Sequence, residues 1–170
     1  MFRRMGLVLF LLTLGIGPLR AQDKPTVLVH SFTVASGVKF PYDMTELQKR
    51  AVDELKSKNA TQFDVVTAAE GVTTKLYILD GEVLEWHKGN TAERMLIAMG
   101  SVAGRENAKI HFWLSDKDGK KVYEHTDVIR QGFMQNGHEK SIGTLLHPFA
   151  EKISERLKEA KLGPESAPSQ

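Results

Sequence analysis

The chain carries six histidines and no cysteine, and these two counts set most of the chemistry open to it. Neutral imidazole is the commonest metal ligand, and His87, His111 and His125 fall on three successive strand-like segments. A zinc or copper site would need three or more such ligands converging, with outer hydrogen bonds fixing each ring. A slip of one residue reverses the face of a strand, so we read the three as solvent-facing strand histidines and assign no metal and no cofactor. His138-Glu139 has Ile142 where a helical zinc protease places its second histidine. Gly100 and Gly104 lack the following Lys and Ser or Thr of a phosphate loop, and no glycine trio follows the first strand. Asp116, Asp118 and Gly119 echo the start of a calcium loop but lack its closing Glu, and a hairpin turn explains them. No serine sits in a Gly-x-Ser-x-Gly elbow. The missing cysteines remove disulfides, Cys-ligated zinc, thiol nucleophiles and every lipid anchor attached through sulfur. With no nucleophile, base and orienter to connect, the expectation is a protein that is not an enzyme.

Two features could serve binding instead. The stretch 91–104 is rich in small and flexible apolar residues, including Met95, Leu96, Ala98, Met99, Gly100 and Gly104, and is flanked by Arg94 and Arg105. Its ordinary reading is a connecting helix capped by Asn90 or Thr91, with its Met and Leu face on a sheet. Its sharper reading is a partner-contact segment of Met95, Met99, Gly100, Gly104 and Arg105, in which Gly-x-x-x-Gly allows close approach of another subunit or an envelope protein. Trp113, Tyr123 and Trp86 could form an exposed aromatic surface for peptide or sugar, or simply stabilise the sheet as cross-strand pairs. Asn59-Ala60-Thr61 is a glycosylation sequon that matters only in a glycosylating host.

The elements that position these residues follow from periodicity. Val27, Leu28, Val29, Phe32 and Val34 after Pro25 predict a first strand over 26–34, buried on both faces. Asp43 followed by Glu46 predicts a capped helix over 44–58, with Met44, Leu47, Ala51 and Leu55 on one stripe. A short strand over 63–67 completes a β-α-β unit whose strands should be parallel. Three longer strands over 76–87, 107–115 and 121–131 then predict an antiparallel meander. Gly81 marks a bulge or a close backbone approach, and Asp116-Lys117-Asp118-Gly119 marks a tight hairpin. If Asp116 pairs with Lys120, Lys109 faces Asp127, His111 faces His125 and Trp113 faces Tyr123. A final helix begins near Glu139, and Pro148 implies either a kink near His147 or a fresh helix starting there. The fold class is therefore α/β (α+β): a small mixed sheet of about five strands, with helices mainly on one face.

The amino terminus predicts export. Arg3 and Arg4 precede an apolar run from Gly6 to Gly17 and an exit at Pro18 to Ala21, the three parts of a secretory signal. Cleavage after Ala21 is expected, since the run is shorter than the roughly 20 residues that span a membrane. Residues 1–21 are thus a signal peptide, 22–162 a single domain and 163–170 a disordered tail with two prolines. The formal charge of +2 then loses three of its 23 basic residues and none of its 21 acidic ones, leaving −1. Such neutrality argues against nucleic acid as a partner.

Lys24-Pro25, the helix leading into Phe63-Asp64-Val65-Val66, then Leu79-Asp80-Gly81-Glu82-Val83 and Gly89-Asn90 resemble the bacterial family known as domain of unknown function 4410. The resemblance spans roughly Pro25 to Leu162. The helix and Phe63-Asp64-Val65-Val66 also resemble a unit of envelope proteins such as the curli secretion channel and the amino-terminal domain of the Tol translocation protein. The resemblance implies a fold and an envelope location but no catalytic residues. Many envelope relatives carry a lipid-anchoring Cys that this chain lacks, implying a member soluble in the periplasm or outside the cell, with no stable membrane span after cleavage. The expected role is a non-catalytic binding or assembly component of the envelope, its partner an envelope protein or another copy of itself. A small-ligand or metal binder using the meander face is the alternative, and a hydrolase with an unrecognised site a second one.

Overall fold

The strict alternation of Ala108, Ile110, Phe112 and Leu114 with Lys109, His111 and Trp113 gives β5 (Asn107–Asp116) one buried and one more open face. In the computed structural model, which describes residues 24–89, 106–130, 145–160 and 162, β5 pairs antiparallel with β4 (Leu76–His87) and β6 (Lys121–Arg130). β4 also pairs in parallel with β1 (Thr26–Val29) and β2 (Thr33–Val34), and β1 pairs in parallel with β3 (Asp64–Val66). The result is a mixed six-stranded sheet in the order β3-β1-β4-β5-β6, with β2 also on β4. The parallel start and antiparallel meander are as the periodicity predicts. The sixth strand arises because the predicted first strand is split: Val29 pairs with Leu79 but Thr33 pairs with Glu82. One extra residue is therefore accommodated before β2, whose Thr33 is exposed.

Helix α1 (Met44–Lys58) has the predicted bounds, and Leu47, Ala51, Val52 and Leu55 are buried along it. Asp43 caps it by accepting the Thr45 amide at 2.8 Å. Glu46 does not reach back to complete a capping box; it accepts from Arg50 Nε at 2.8 Å. Helix α2 (Leu146–Glu159) begins so that Pro148 falls in its first turn, where proline removes no helical hydrogen bond. A fresh helix near His147, rather than a kink, is the outcome there. The start predicted at Glu139 and the tail at 163–170 lie outside the described residues, as do residues 1–21.

Both helices cover the same face of the sheet. Leu47 and Leu55 of α1, with Phe149, Ile153 and Leu157 of α2, share one core with Leu79, Val83, Ile110, Phe112 and Leu114. The helices are tied to each other by a fully buried polar pair: Ser154 Oγ donates to Asn59 Oδ1 at 2.7 Å, and Asn59 Nδ2 to the Ser154 carbonyl at 3.3 Å. Asn59 is 0% exposed, so the sequon is closed to modification once the chain has folded.

Candidate functional site

Beyond the hairpin, β6 carries one residue more than β5 needs. Ser115 pairs with Lys121 but Leu114 pairs with Tyr123, leaving Val122 as a bulge. This shifts the register by one from the predicted one. Lys109 faces Val128, His111 faces Thr126 and Trp113 faces Glu124, while Phe112 faces His125. The hairpin itself closes as expected, with the Asp116 amide donating to the Lys120 carbonyl at 2.9 Å and Gly119 at φ +80°. Nothing in the side-chain pattern announces the bulge, because β6 alternates polar residues on both faces.

One consequence is that the predicted partners separate. His125, Asp127 and Tyr123 turn toward the helices, and Asp127 pairs with Arg156 of α2 at 2.8 Å instead of with Lys109. Burial alone would raise the Asp127 carboxyl, but the Arg156 hydrogen bond and charge outweigh it, and the group is held below the usual carboxylate range. Lys109 pairs instead with Glu85, at 3.1 Å. The aromatic surface does not form either. Trp113 lies on the face opposite α1 and α2, Tyr123 on the face that they cover, and Trp86 packs against the core beyond a second bulge between Val83 and Glu85.

The face opposite α1 and α2 holds a tight polar cluster. The His111 ring lies 4.9 Å from that of Trp113, and Lys121 Nζ sits 4.8 Å from the Trp113 centroid. Glu124 Oε2 is 3.0 Å from Lys121 Nζ and 3.6 Å from His111 Nε2. The Lys121 hydrogen bond and charge, with His111 adding to them, hold the Glu124 carboxyl below its ordinary range. Glu82 faces His111 and Asp80 faces Trp113 from β4, and Asp80 Oδ1 is 2.8 Å from His30 Nδ1. Because His111 and Lys121 already occupy the indole, this face suits polar recognition better than stacking of a planar ring.

The three histidines singled out in the sequence are divided between the faces. His87 and His111 share the open face, each near a carboxylate, Glu85 at 3.7 Å and Glu124 at 3.6 Å, whereas His125 lies beneath the sheet at 3.3 Å from Asp127. Among the described residues no three His, Asp or Glu side chains group as a metal site.

A second polar knot sits at one end of the sheet, where β4 ends, β5 begins and β6 ends. Glu106, 8% exposed, accepts from Tyr42 Oη at 2.6 Å and from Trp86 Nε1 at 2.7 Å. Burial, then the Glu106 hydrogen bond and charge, push the Tyr42 phenol well above its usual range. This knot fixes the indole of Trp86, which walls an open cleft of about 400 Å³ with Val38, Lys39, Leu84 and His87. Sequence reasoning missed it, since its members are 20 and 64 residues apart. The predicted partner-contact segment, Met95, Met99, Gly100, Gly104 and Arg105, lies outside the described residues.

An α+β protein whose two described helices share one face of a mixed sheet is the class that this geometry defines. The chain belongs to the family described as a domain of unknown function (DUF4410), whose model matches residues 39–134. No functionally curated protein matches it. Among solved structures it is similar to PelC of Paraburkholderia phytofirmans, a dodecamer, at 20% identity over 86% of this chain and 93% of that one, with a TM-score of 0.49. It is also similar to the Chlamydia trachomatis protein CT253, at 12% identity over 81% of this chain and 98% of that one, with a TM-score of 0.52. A minor lipoprotein of Acinetobacter baumannii matches at 11% identity over 83% and 91%, with a TM-score of 0.38. The likeness to the Chlamydia protein, at this identity, is one of fold alone. Among the described residues no helix is long and apolar enough to cross a membrane.

Proposed function

We propose that this protein is an exported, non-catalytic binding or assembly component of the bacterial cell envelope, meeting an envelope protein or another copy of itself through the side of its sheet opposite α1 and α2. The observation that supports this reading is the asymmetry of the two faces. Helices and core occupy one, while the other presents the His111, Trp113, Lys121 and Glu124 cluster beside the His30 and Asp80 pair. Charged and aromatic groups clustered on one exposed patch are the usual anatomy of a specific contact. The near-neutral mature charge leaves no role for bulk attraction to nucleic acid. Site-specific photocrosslinkers at Thr126 on the open face and Lys49 on the outer side of α1 test it in the native host after cell fractionation. A discrete adduct from position 126 alone, in the envelope fraction, is expected. Equal labelling from both positions, or a cytoplasmic protein, would sink the reading. The 400 Å³ cleft beside Trp86 favours small-ligand binding as a second reading. A thermal-shift screen of metals, glycans and peptides with Trp86→Phe as control separates the two.

A further inference from the structure

The last strand of a sheet carries a row of backbone N–H and C=O groups that pair with nothing in the sheet, and such rows recruit other chains unless shielded. The two edges here differ. β3 is three residues long, whereas β6 is ten, pairs with β5 on one side and has no strand on the other among the described residues. The exposed large hydrophobic residues among those described, Val122 at 46% and Val128 at 41%, both lie on it. Two devices guard it as far as Asp127: the bulge at Val122, which twists the edge, and the inward charge of Asp127, matched by Arg156 at 2.8 Å. From Val128 to Arg130 neither device is present.

That unguarded end runs beside a groove of about 150 Å³ between β6 and α2, lined on the helix by Pro148, Glu151, Lys152 and Glu155. The charges on the helix wall are matched within the chain, Lys152 to Glu155 at 2.7 Å and Glu151 to Lys58 at 3.2 Å. Arg130, exposed at the mouth of the groove, has no ion-pair partner among the described residues. The free backbone row asks for another extended backbone, the small groove beside Val128 and Pro148 for an aliphatic side chain, and the unmatched guanidinium for a carboxylate.

We infer that β6 and this groove take an extended segment of a partner polypeptide, added as a further strand with a small aliphatic side chain in the groove and a carboxylate against Arg130. This inference rests on the binding and assembly reading and names the class of partner. The probe is a phage-displayed library of random heptapeptides selected on the full mature chain and counter-selected on Arg130→Glu, a surface change whose folding is checked by circular dichroism. Selected peptides are expected to alternate aliphatic and acidic residues, to bind Arg130→Glu or Val128→Arg at least tenfold more weakly, and to slow hydrogen exchange of β6 amides. No enrichment over Arg130→Glu would overturn the inference. Protection around His111 with β6 unchanged would also overturn it while leaving the open-face reading intact. Protection of β6 that grows with protein concentration in the absence of peptide would assign the edge to a second copy and overturn it too.

Discussion

A side chain at position 81 has no room. The Cβ of Gly81→Ala would stand 2.5 Å from Cδ1 and 2.8 Å from Cε1 of Phe32, and 3.3 Å from the His111 carbonyl oxygen. Non-bonded carbons prefer about 3.5–4.0 Å, so the Phe32 ring must move by roughly an ångström. It cannot swing outward, being 2% exposed and packed edge-on against Phe149 at 5.5 Å. Overpacking of this kind costs about 1–3 kcal/mol, and the lower entropy of an unfolded chain with Ala in place of Gly offsets about 0.4–1 kcal/mol. The expected net loss is about 1–2 kcal/mol, or a Tm lower by roughly 2–8 °C for a domain of this size. Urea unfolding followed by Trp86 and Trp113 fluorescence reads it as a shift in midpoint at constant slope. The cause is isolated by a double-mutant cycle with Phe32→Val, which removes both Cδ1 and Cε1. In that background Gly81→Ala should cost about 1 kcal/mol less than in the parent. A Gly81→Ala protein as stable as the parent, or one equally damaged in both backgrounds, would refute the close approach of Phe32 as the reason for glycine.

Ser154→Ala should destabilise by about 1–3 kcal/mol in the same assay, because it leaves Asn59 Oδ1 buried without its donor. Tyr42→Phe should cost about 1.5–3 kcal/mol by removing a hydrogen bond to the Glu106 carboxylate, with a change in Trp86 emission as the local reporter. Tyr42 and Tyr123, both raised chiefly by burial, should ionise later than free tyrosine in a titration followed at about 295 nm. Asp127 has a lowered folded-state pKa, so its contribution to stability is present above about pH 4 and lost as pH falls through the folded value. Arg156→Gln should therefore move the acid-unfolding midpoint to higher pH, and an unmoved midpoint would count against the pair.

Local signals carried most of the fold. The helix over 44–58 was legible because Asp43 and a three-four stripe define its start and its buried face, and β5 because its alternation is unbroken. Proline chemistry placed the start of α2, and Gly81 announced a close approach without naming Phe32 as its cause. What stayed hidden was register. The single residue inserted at Val122 reverses the face of every residue after it, so Lys109, His111 and Trp113 each met a neighbour other than the one predicted. A bulge of that kind is decided by how β6 settles against α2, where Arg156 draws Asp127 inward, and such contacts leave no mark on a short window of sequence. The Glu106 knot was invisible for a related reason. A Tyr, a Trp and a Glu are ordinary residues until folding brings three distant segments to one point.

The pairing His87↔Asn107↔Arg130 sets the ends of three strands side by side on one rim. The chain therefore leaves the sheet at one rim after both His87 and Arg130 and re-enters it there at Glu106, while the tight hairpin of Asp116 to Lys120 closes the opposite rim. The returns into the fold are fixed, Glu106 by Tyr42 and Trp86 and Leu145 by its place in the core. A change to what joins that rim should therefore leave the fold intact only where Glu106 and Leu145 are kept.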